Sequence, residues 1–286
     1  MKSLIEKISS AKLNQEFKRL YHGRGEEEFR FLTIDSIDKI LFVQFYEESP
    51  YEKEILEKLK EFTLHSGHEN IIVKRRFTKE TFAIKGEIPK KAFAIENRMK
   101  FKLNFYNQNI GYFGDMREGR KYVERISKNK NVLNLFAYTC GFSLFAKRGG
   151  AKEIANVDMS KSALATGMAN HQINDLSQKG ISFWPYNILK AFPKLKKKAP
   201  YDIIIIDPPT FQKGSFEAAK DYQKLIKNLS SVSHEKTTLI ACVNSPFFEK
   251  ERLIEIVERN SRFKFKERIE NPSEYTNSSL KNLVFI

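Results

Sequence analysis

The chain has 286 residues, of which 41% are hydrophobic, and carries a formal net charge of +15. No apolar run approaches the roughly 20 residues that span a bilayer, and the first residues lack the apolar core of a signal peptide. The two cysteines lie in stretches predicted to be interior and do not suggest a disulfide framework, which fits a reducing, cytoplasmic location. The positive excess favours a polyanionic partner such as RNA, although solvated lysine faces explain it too.

The first part of the sequence predicts a small α+β domain over residues 1–93. Its expected elements are a helix from 1 to about 20, strands at 29–35 and 39–46, a helix at 51–64, and strands at 71–76 and 81–85. Arg24 stands between two glycines, where it could contact a phosphate, although the glycines equally serve a tight turn. The basic run 74–76 fits either RNA or a solvated edge strand.

A second domain is predicted over residues 94–286. It begins with an extended pair at 96–105 and 111–113 and a helix at 114–128, on which Arg117 and Arg120 share a face. Strands are then predicted at 132–137, 153–157, 181–186, 202–206, 238–243, 263–269 and 283–286, with helices after each of the first five. This order predicts an α/β fold with a seven-stranded, mostly parallel, doubly wound sheet whose final strand is antiparallel.

Unusual residues follow the predicted parallel strands, where ligands bind in such sheets. Gly141 allows close backbone approach, but residues 136–143 contain neither a dinucleotide fingerprint nor a phosphate-binding loop, which suits a nucleoside without phosphates. Asp158 is placed to accept hydrogen bonds from a ribose diol, although an acid before Ser-x-x-Ala is also an ordinary helix cap. Asn187 could accept from an adenine amino group with Ile188 against the ring, or could cap a helix.

The run after the fourth strand is the most specific signal. Pro208 and Pro209 follow Asp207, remove two backbone donors and stiffen the loop. The exposed carbonyls can then accept hydrogen bonds from a substrate amino group. Phe211 could stack on a flipped base.

Together these stretches resemble class I S-adenosylmethionine-dependent methyltransferases, and more narrowly bacterial large-subunit ribosomal RNA methyltransferases that modify cytosine C5 or guanine N7. The matching runs are 134–143, 157–164, 207–211 and Phe113-x-Asp115-x-Arg117. The resemblance implies S-adenosylmethionine (SAM) as the cofactor, with no metal. Its expected contacts are Phe136, Ala137, Tyr138, Thr139, Cys140, Gly141, Asp158, Met159, Ser160, Asn187, Ile188 and Asp207. We expect RNA to contact Arg24, Arg117 and Arg120, and the protein to be a monomer or homodimer.

Three residues depart from the family pattern. Cys140 stands where the family usually has Gly, and Asn187 where many members have Asp. Asn244 occupies the position of the nucleophilic cysteine of cytosine-C5 members, while Cys242 is predicted to be a buried structural thiol. Asn244 therefore favours methylation of a base nitrogen or an altered activity, with Asp207, Pro208, Pro209, Phe211 and Asn244 as the catalytic set.

Three other functions remain open at this point. The chain could be an RNA-binding protein that keeps the fold without the chemistry, or a methyltransferase for a protein or small molecule. A nicotinamide oxidoreductase is disfavoured because the glycine fingerprint is missing.

Overall fold

The computed structural model describes residues 1–11, 14–26, 28–209, 211–212, 216–245, 248–275 and 278–286. The chain divides into two compact units, residues 1–114 with 272–278 and residues 115–271 with 279–286. The boundary predicted near residue 93 falls inside the first unit, which also contains the hairpin that follows it. No helix of the described residues has the length and hydropathy needed to cross a membrane.

The first unit is built on a five-stranded sheet. Its elements are α1 (Lys2–Ser9), β1 (Lys18–His22), β2 (Leu32–Ile37), β3 (Ile40–Phe45), α2 (Glu52–Phe62), β4 (Asn70–Arg75), β5 (Glu80–Lys85), β6 (Phe93–Glu96) and β7 (Met99–Lys102). The sheet order is β1-β2-β3-β4-β5, in which β3 and β4 run parallel and the other neighbours antiparallel. β6 and β7 form a separate antiparallel hairpin.

The two faces of this sheet have different coverings, as the alternation of side chains along a strand requires. Val43 and Val73 belong to a buried cluster with residues of α1 and α2. The positions next to them in each strand, Phe42 and Lys74, face the other side. There Phe42 packs against Phe105, with ring centroids 5.1 Å apart.

Two sequence-based expectations for this unit are wrong, and one of two open alternatives for the basic run 74–76 is excluded. The first helix ends at Ser9 rather than near residue 20. Lys18–His22, at the end of the range expected to be helical, form strand β1, because their pairing with β2 overrides local propensity. The extended pair expected at 96–105 and 111–113 is instead the hairpin β6–β7, which turns at Asn97 and Arg98 with positive φ angles. β4 lies between β3 and β5, so its basic run is not on an edge strand.

The second unit alternates strands and helices. Its elements are α3 (Arg117–Ile126), β8 (Asn131–Leu135), α4 (Gly141–Arg148), β9 (Glu153–Val157), α5 (Lys161–Ile173), β10 (Ile181–Trp184), α6 (Ile188–Leu195), β11 (Tyr201–Ile206), β12 (Phe211–Gln212), β13 (Phe216–Glu217), α7 (Ala218–Leu229), β14 (Ser233–Asn244), α8 (Lys250–Asn260), β15 (Phe265–Ile269) and β16 (Leu280–Phe285).

The main sheet of this unit has the order β10-β9-β8-β11-β14-β16-β15. The first five strands are parallel, and β16 runs antiparallel to both neighbours. The predicted seven-stranded, mostly parallel, doubly wound α/β sheet is therefore confirmed, including its antiparallel final strand. Adjacent residues of β11 pack into different hydrophobic cores, Ile203 on one face of the sheet and Ile204 on the other. The strand is apolar throughout because both of its faces are buried.

Candidate active site

Four neighbouring parallel strands of the second unit end at the same level. Their last residues, Trp184 of β10, Val157 of β9, Leu135 of β8 and Ile206 of β11, are aligned in register. The loops that follow start from one edge of the sheet, which is the edge where such folds bind ligands. The segments that start there are 136–141, 158–160, 185–188 and 207–209.

The loop between β8 and α4 has a constrained backbone. Phe136, Tyr138 and Cys140 have φ angles of +60°, +45° and +61°, in the left-handed region that favours glycine. Side chains adopt this conformation where the surrounding contacts impose it. The backbone conformation of this loop is therefore imposed by the residues that contact it.

Asp158 is one of the residues that fix the conformation of this loop. The backbone N–H of Tyr138 donates to its Oδ2 at 2.9 Å, and the N–H of Ser160 donates to its Oδ1 at 2.8 Å. The Ser160 hydroxyl accepts from the N–H of Ala163 at 3.1 Å, so Ser160 caps α5 and Asp158 joins the two loops. Asp158 is 8% exposed. A carboxylate has about four acceptor positions, which leaves capacity for hydroxyl groups of a ligand.

Cys140 fixes the same loop from the interior. Its thiol is fully buried, and burial raises its pKa well above the ordinary value, with the charge of Asp158 adding to the effect. A Cβ atom placed on Gly167 of α5 would lie 2.4 Å from the Cys140 Sγ. The cysteine side chain thus fills the space that the glycine leaves. Next to it, the side-chain amide of Asn170 donates to the carbonyl of Thr139 at 3.1 Å.

A buried polar network below this loop was missed by the sequence reasoning. Asn134 donates to Asn156 at 2.9 Å, and Asn156 donates to the Ser143 hydroxyl at 3.0 Å. Ser143 Oγ lies 3.1 Å from His171 Nε2, and His171 Nδ1 lies 2.8 Å from the carbonyl of Gly167. Burial lowers the pKa of His171. The available signal was Asn134 and Asn156, each flanked by apolar residues within its strand.

Asn187 and Ile188 follow β10 at the start of α6. The Asn187 side chain does not cap the helix, and its Oδ1 is a buried acceptor without a partner among the described residues. Buried polar atoms nearly always have a hydrogen-bond partner. An amino group such as that of adenine would supply the missing donor. Ile188 is buried beside it.

Asp207 follows β11, and its backbone N–H lies 3.5 Å from the carbonyl of Leu135. Burial of the carboxyl raises its pKa to about 7; the charge of Asp115 adds to the rise and that of Arg120 opposes it. The Asp207 side chain as a whole keeps some solvent exposure. Pro208 is buried and Pro209 is exposed, while the side chain of Phe211 lies outside the described part of the structure.

Neither cysteine of the chain is accessible. Asn244, the last residue of β14, is exposed, and its Oδ1 accepts from the hydroxyl of Ser279 at 2.6 Å. Cys242 is fully buried, and burial raises the pKa of its thiol well above the ordinary value. Its carbonyl accepts from the hydroxyl of Tyr222 at 2.9 Å.

The three arginines expected to contact RNA differ in exposure. Arg24 is exposed, in a turn where a Cβ on Gly23 would lie 2.3 Å from the carbonyl oxygen of Phe29. Arg117 is partly exposed. Arg120 is 4% exposed, with its guanidinium 5.9 Å from the ring of Phe145. Among the residues that the structure describes, no three His, Cys, Asp or Glu side chains are grouped to hold a metal ion.

Comparison with known proteins gives consistent matches. A family model described as S-adenosylmethionine-dependent methyltransferase matches residues 18–285. The Bacillus subtilis protein YwbD, provisionally named a ribosomal RNA large subunit methyltransferase, is 29% identical over 277 residues, which cover 90% of this chain and 69% of that protein. The ribosomal RNA large subunit methyltransferase I of Aeromonas salmonicida is 32% identical over 190 residues, covering 63% of this chain and 48% of that protein.

A solved structure shares the fold over almost the whole chain. It is SMU.776, provisionally identified as a methyltransferase and crystallised in complex with SAH. The match has a TM-score of 0.86 and 24% sequence identity, and it covers 99% of this chain and 78% of that one.

Proposed function

The chain belongs to the family of S-adenosylmethionine-dependent methyltransferases, and from this premise we propose that it methylates a base nitrogen of large-subunit ribosomal RNA. The RNA substrate is supported by the names of the two relatives and by the net charge of +15. The choice of nitrogen over carbon rests on one observation, the burial of both cysteines.

The loops at the sheet edge fit the cofactor. The orphaned Oδ1 of Asn187 would accept from the adenine amino group, with Ile188 against the ring. Asp158 would accept from the ribose hydroxyls, beside Met159 and Ser160. The constrained backbone of residues 136–141 would hold the methionine part. SAM supplies a methyl group that is already activated on a sulfonium, so the protein's task is positioning and exclusion of water.

Asp207 is the best-placed group to act on the acceptor. Its pKa near 7 lets the carboxyl exchange a proton at neutral pH. The ionised form would accept a hydrogen bond from the acceptor N–H. It would take up the proton that this nitrogen loses when the methyl carbon exchanges its bond to the sulfonium sulfur for a bond to nitrogen. Pro208 and Pro209 have no backbone donor to compete for the Asp207 carboxylate. We assign Phe211 to stacking on the base and Asn244 to contact with its edge.

Methylation at cytosine C5 needs a thiolate that attacks the pyrimidine ring. Burial raises the thiol pKa of both Cys140 and Cys242, and both side chains are inaccessible. Transfer to a nitrogen needs no such nucleophile. We therefore assign the reaction to a nitrogen.

We propose a division of labour between the two units. The first unit, with the exposed Arg24, would bind RNA, and the second would bind SAM and transfer the methyl group. Arg117 would contact the RNA backbone. Arg120 is 4% exposed, so its proposed role is exerted near Asp207, where its charge favours the ionised carboxylate. We propose that the protein acts on ribosomal RNA in the cytoplasm.

The test is transfer of tritium from methyl-labelled SAM to unmodified large-subunit ribosomal RNA, followed by digestion to nucleosides. We expect label in a nucleoside methylated on a base nitrogen. Asp207→Ala should abolish transfer while SAM still binds. Label in 5-methylcytidine that is lost with Cys242→Ser would overturn the assignment to nitrogen, and absence of label in any ribosomal RNA would overturn the RNA substrate.

A further inference from the structure

The first unit presents an exposed aromatic side chain on a short loop. Phe105 and Ile110 are buried at the two ends of this loop, and the four residues between them are exposed. Tyr106 is 67% exposed. The N–H of Asn104 donates to the carbonyl of Ile110 at 2.8 Å and closes the loop at its base.

One cation of β4 and a second one just after the strand hold the backbone of this loop. The buried Lys74 ammonium donates to the carbonyls of Phe105 and Asn107, each at 2.7 Å. Arg76, just beyond the strand, donates to the carbonyl of Gln108 at 2.9 Å. Lys74 and Arg76 lie two residues apart and therefore share one face of the strand. These hydrogen bonds are accepted by backbone carbonyls of the loop, and the ring of Tyr106 remains exposed to solvent.

A second aromatic ring lies next to this loop. The guanidinium carbons of Arg24 and Arg76 each lie 5.1 Å from the ring centroid of Tyr46. Arg76 therefore contacts both Tyr46 and the loop, which makes one continuous surface. We call this surface the aromatic–arginine patch. It consists of Arg24, Tyr46, Arg76 and residues 106–109.

We infer that the aromatic–arginine patch binds an unpaired segment of RNA, with one base stacked on Tyr106 and the neighbouring phosphates near Arg24 and Arg76. Aromatic rings on a basic surface are the combination by which proteins hold single strands, because every base offers a stacking face. A duplex keeps its bases stacked on each other and cannot use Tyr106 in this way. The inference rests on the proposed function and names the form of RNA that the first unit recognises.

The experiment measures binding of a fluorescein-labelled single-stranded RNA of about twelve nucleotides to the full chain by fluorescence anisotropy. We expect Tyr106→Ala to weaken binding about tenfold and Tyr106→Phe to keep it near the wild-type value. The dependence of affinity on salt should stay unchanged in Tyr106→Ala, since no phosphate contact is lost. Arg24→Ala should instead lower the salt slope by about 0.7.

The matched control is Tyr51→Ala. Tyr51 is also exposed, at 51%, but precedes α2 on the opposite face of the sheet. Unchanged binding by Tyr106→Ala, or an equal loss with Tyr51→Ala, overturns the inference. Methyl transfer by the wild-type chain is measured in parallel. If methyl transfer occurs but RNA binding does not depend on Tyr106, the inference about the aromatic–arginine patch is overturned and the proposed function stands. If RNA binding depends on Tyr106 but no ribosomal RNA is methylated, the inference is supported and the proposed function is overturned.

Discussion

Two loops of this molecule are held in place by buried charges of opposite sign. In the second unit, the Asp158 carboxylate accepts the backbone N–H groups of Tyr138 and Ser160. In the first unit, the Lys74 ammonium donates to the carbonyls of Phe105 and Asn107. The sign of the buried charge decides which backbone groups are used, because a carboxylate only accepts and an ammonium only donates.

The difference between the two loops extends to their side chains. The loop on Asp158 keeps Phe136 and Cys140 buried, and we propose that its backbone contacts SAM. The loop on Lys74 exposes Tyr106, and we infer that the side chain contacts RNA. A loop that binds a ligand through its backbone needs its whole conformation fixed. A loop that binds through one exposed side chain needs only the ends of the loop to be fixed. The comparison predicts that the two loops respond differently to mutation.

The largest effect is expected from Asp158→Ala. Removal of the carboxylate leaves the N–H groups of Tyr138 and Ser160 without their acceptor and removes the proposed ribose contact. Hydrogen bonds to charged groups contribute about 1.5–3 kcal/mol each, so SAM affinity measured by calorimetry should fall by about 100-fold or more. Asp158→Asn, which keeps one acceptor oxygen, should lose less. Equal SAM affinity in wild type and Asp158→Ala would show that SAM binds elsewhere.

The next effect concerns the fit between Cys140 and Gly167. Gly167→Ala places a methyl group 2.4 Å from the thiol sulfur and 2.9 Å from the Cys140 Cβ. Such overpacking costs about 1–3 kcal/mol, measured as the free energy of unfolding in urea. Cys140→Gly removes the clash and suits the left-handed backbone at this position. The double variant should therefore be more stable than Gly167→Ala alone, and simple additivity would contradict the proposed fit.

A smaller effect is expected in the first unit from Lys74→Met, which keeps the aliphatic stem and removes the ammonium. Two carbonyls then lose their donor, at a cost of about 1–2 kcal/mol in unfolding free energy. Hydrogen exchange should accelerate at residues 104–110, while SAM affinity stays at the wild-type value. The matched control is Lys53→Met at an exposed position, which should change stability by less than about 0.5 kcal/mol.

The smallest effect is a dependence on pH. Burial raises the pKa of Asp207 from 3.8 to about 7, so the carboxyl is neutral below that pH and negative above it. The negative form attracts the sulfonium of SAM but not neutral SAH, so the affinity ratio of SAM to SAH should rise severalfold, up to about tenfold, as pH rises through 7. In Asp207→Asn the affinity ratio of SAM to SAH should not change with pH. A ratio that is independent of pH in the wild-type chain would contradict the proposed interaction between the Asp207 carboxylate and the sulfonium.

The same shift affects stability in the opposite direction. The folded chain binds the Asp207 proton more tightly than the unfolded chain does. The stabilising contribution of this group is therefore complete below about pH 3.8 and is lost as pH rises through about 7.

The fold of the second unit could be predicted because its strands are apolar runs that end at polar residues. The strand at 153–157 was predicted to the residue. The first unit was harder. Lys18–His22 lacks strong strand propensity and forms β1 only through pairing with β2. Likewise, positive φ angles at Asn97 and Arg98, which place the β6–β7 turn, have no glycine to signal them.

The candidate site shows the same limit. Asp158, Asn187 and Asp207 were identified because they follow predicted strands, and the structure brings the ends of those strands into register. The fit of Cys140 to Gly167 could not be predicted, since contact between positions 27 residues apart along the chain depends on how α5 packs on the loop. The RNA contacts predicted for Arg24, Arg117 and Arg120 stay predictions.

A crystal structure of the chain with bound SAM would test the central claim most directly. We predict the adenine amino group within hydrogen-bond distance of Asn187 Oδ1, the ribose hydroxyls on Asp158, and the methyl group directed toward Asp207. SAM bound away from the ends of β8, β9, β10 and β11, or an adenine that leaves Asn187 Oδ1 without a donor, would contradict the account.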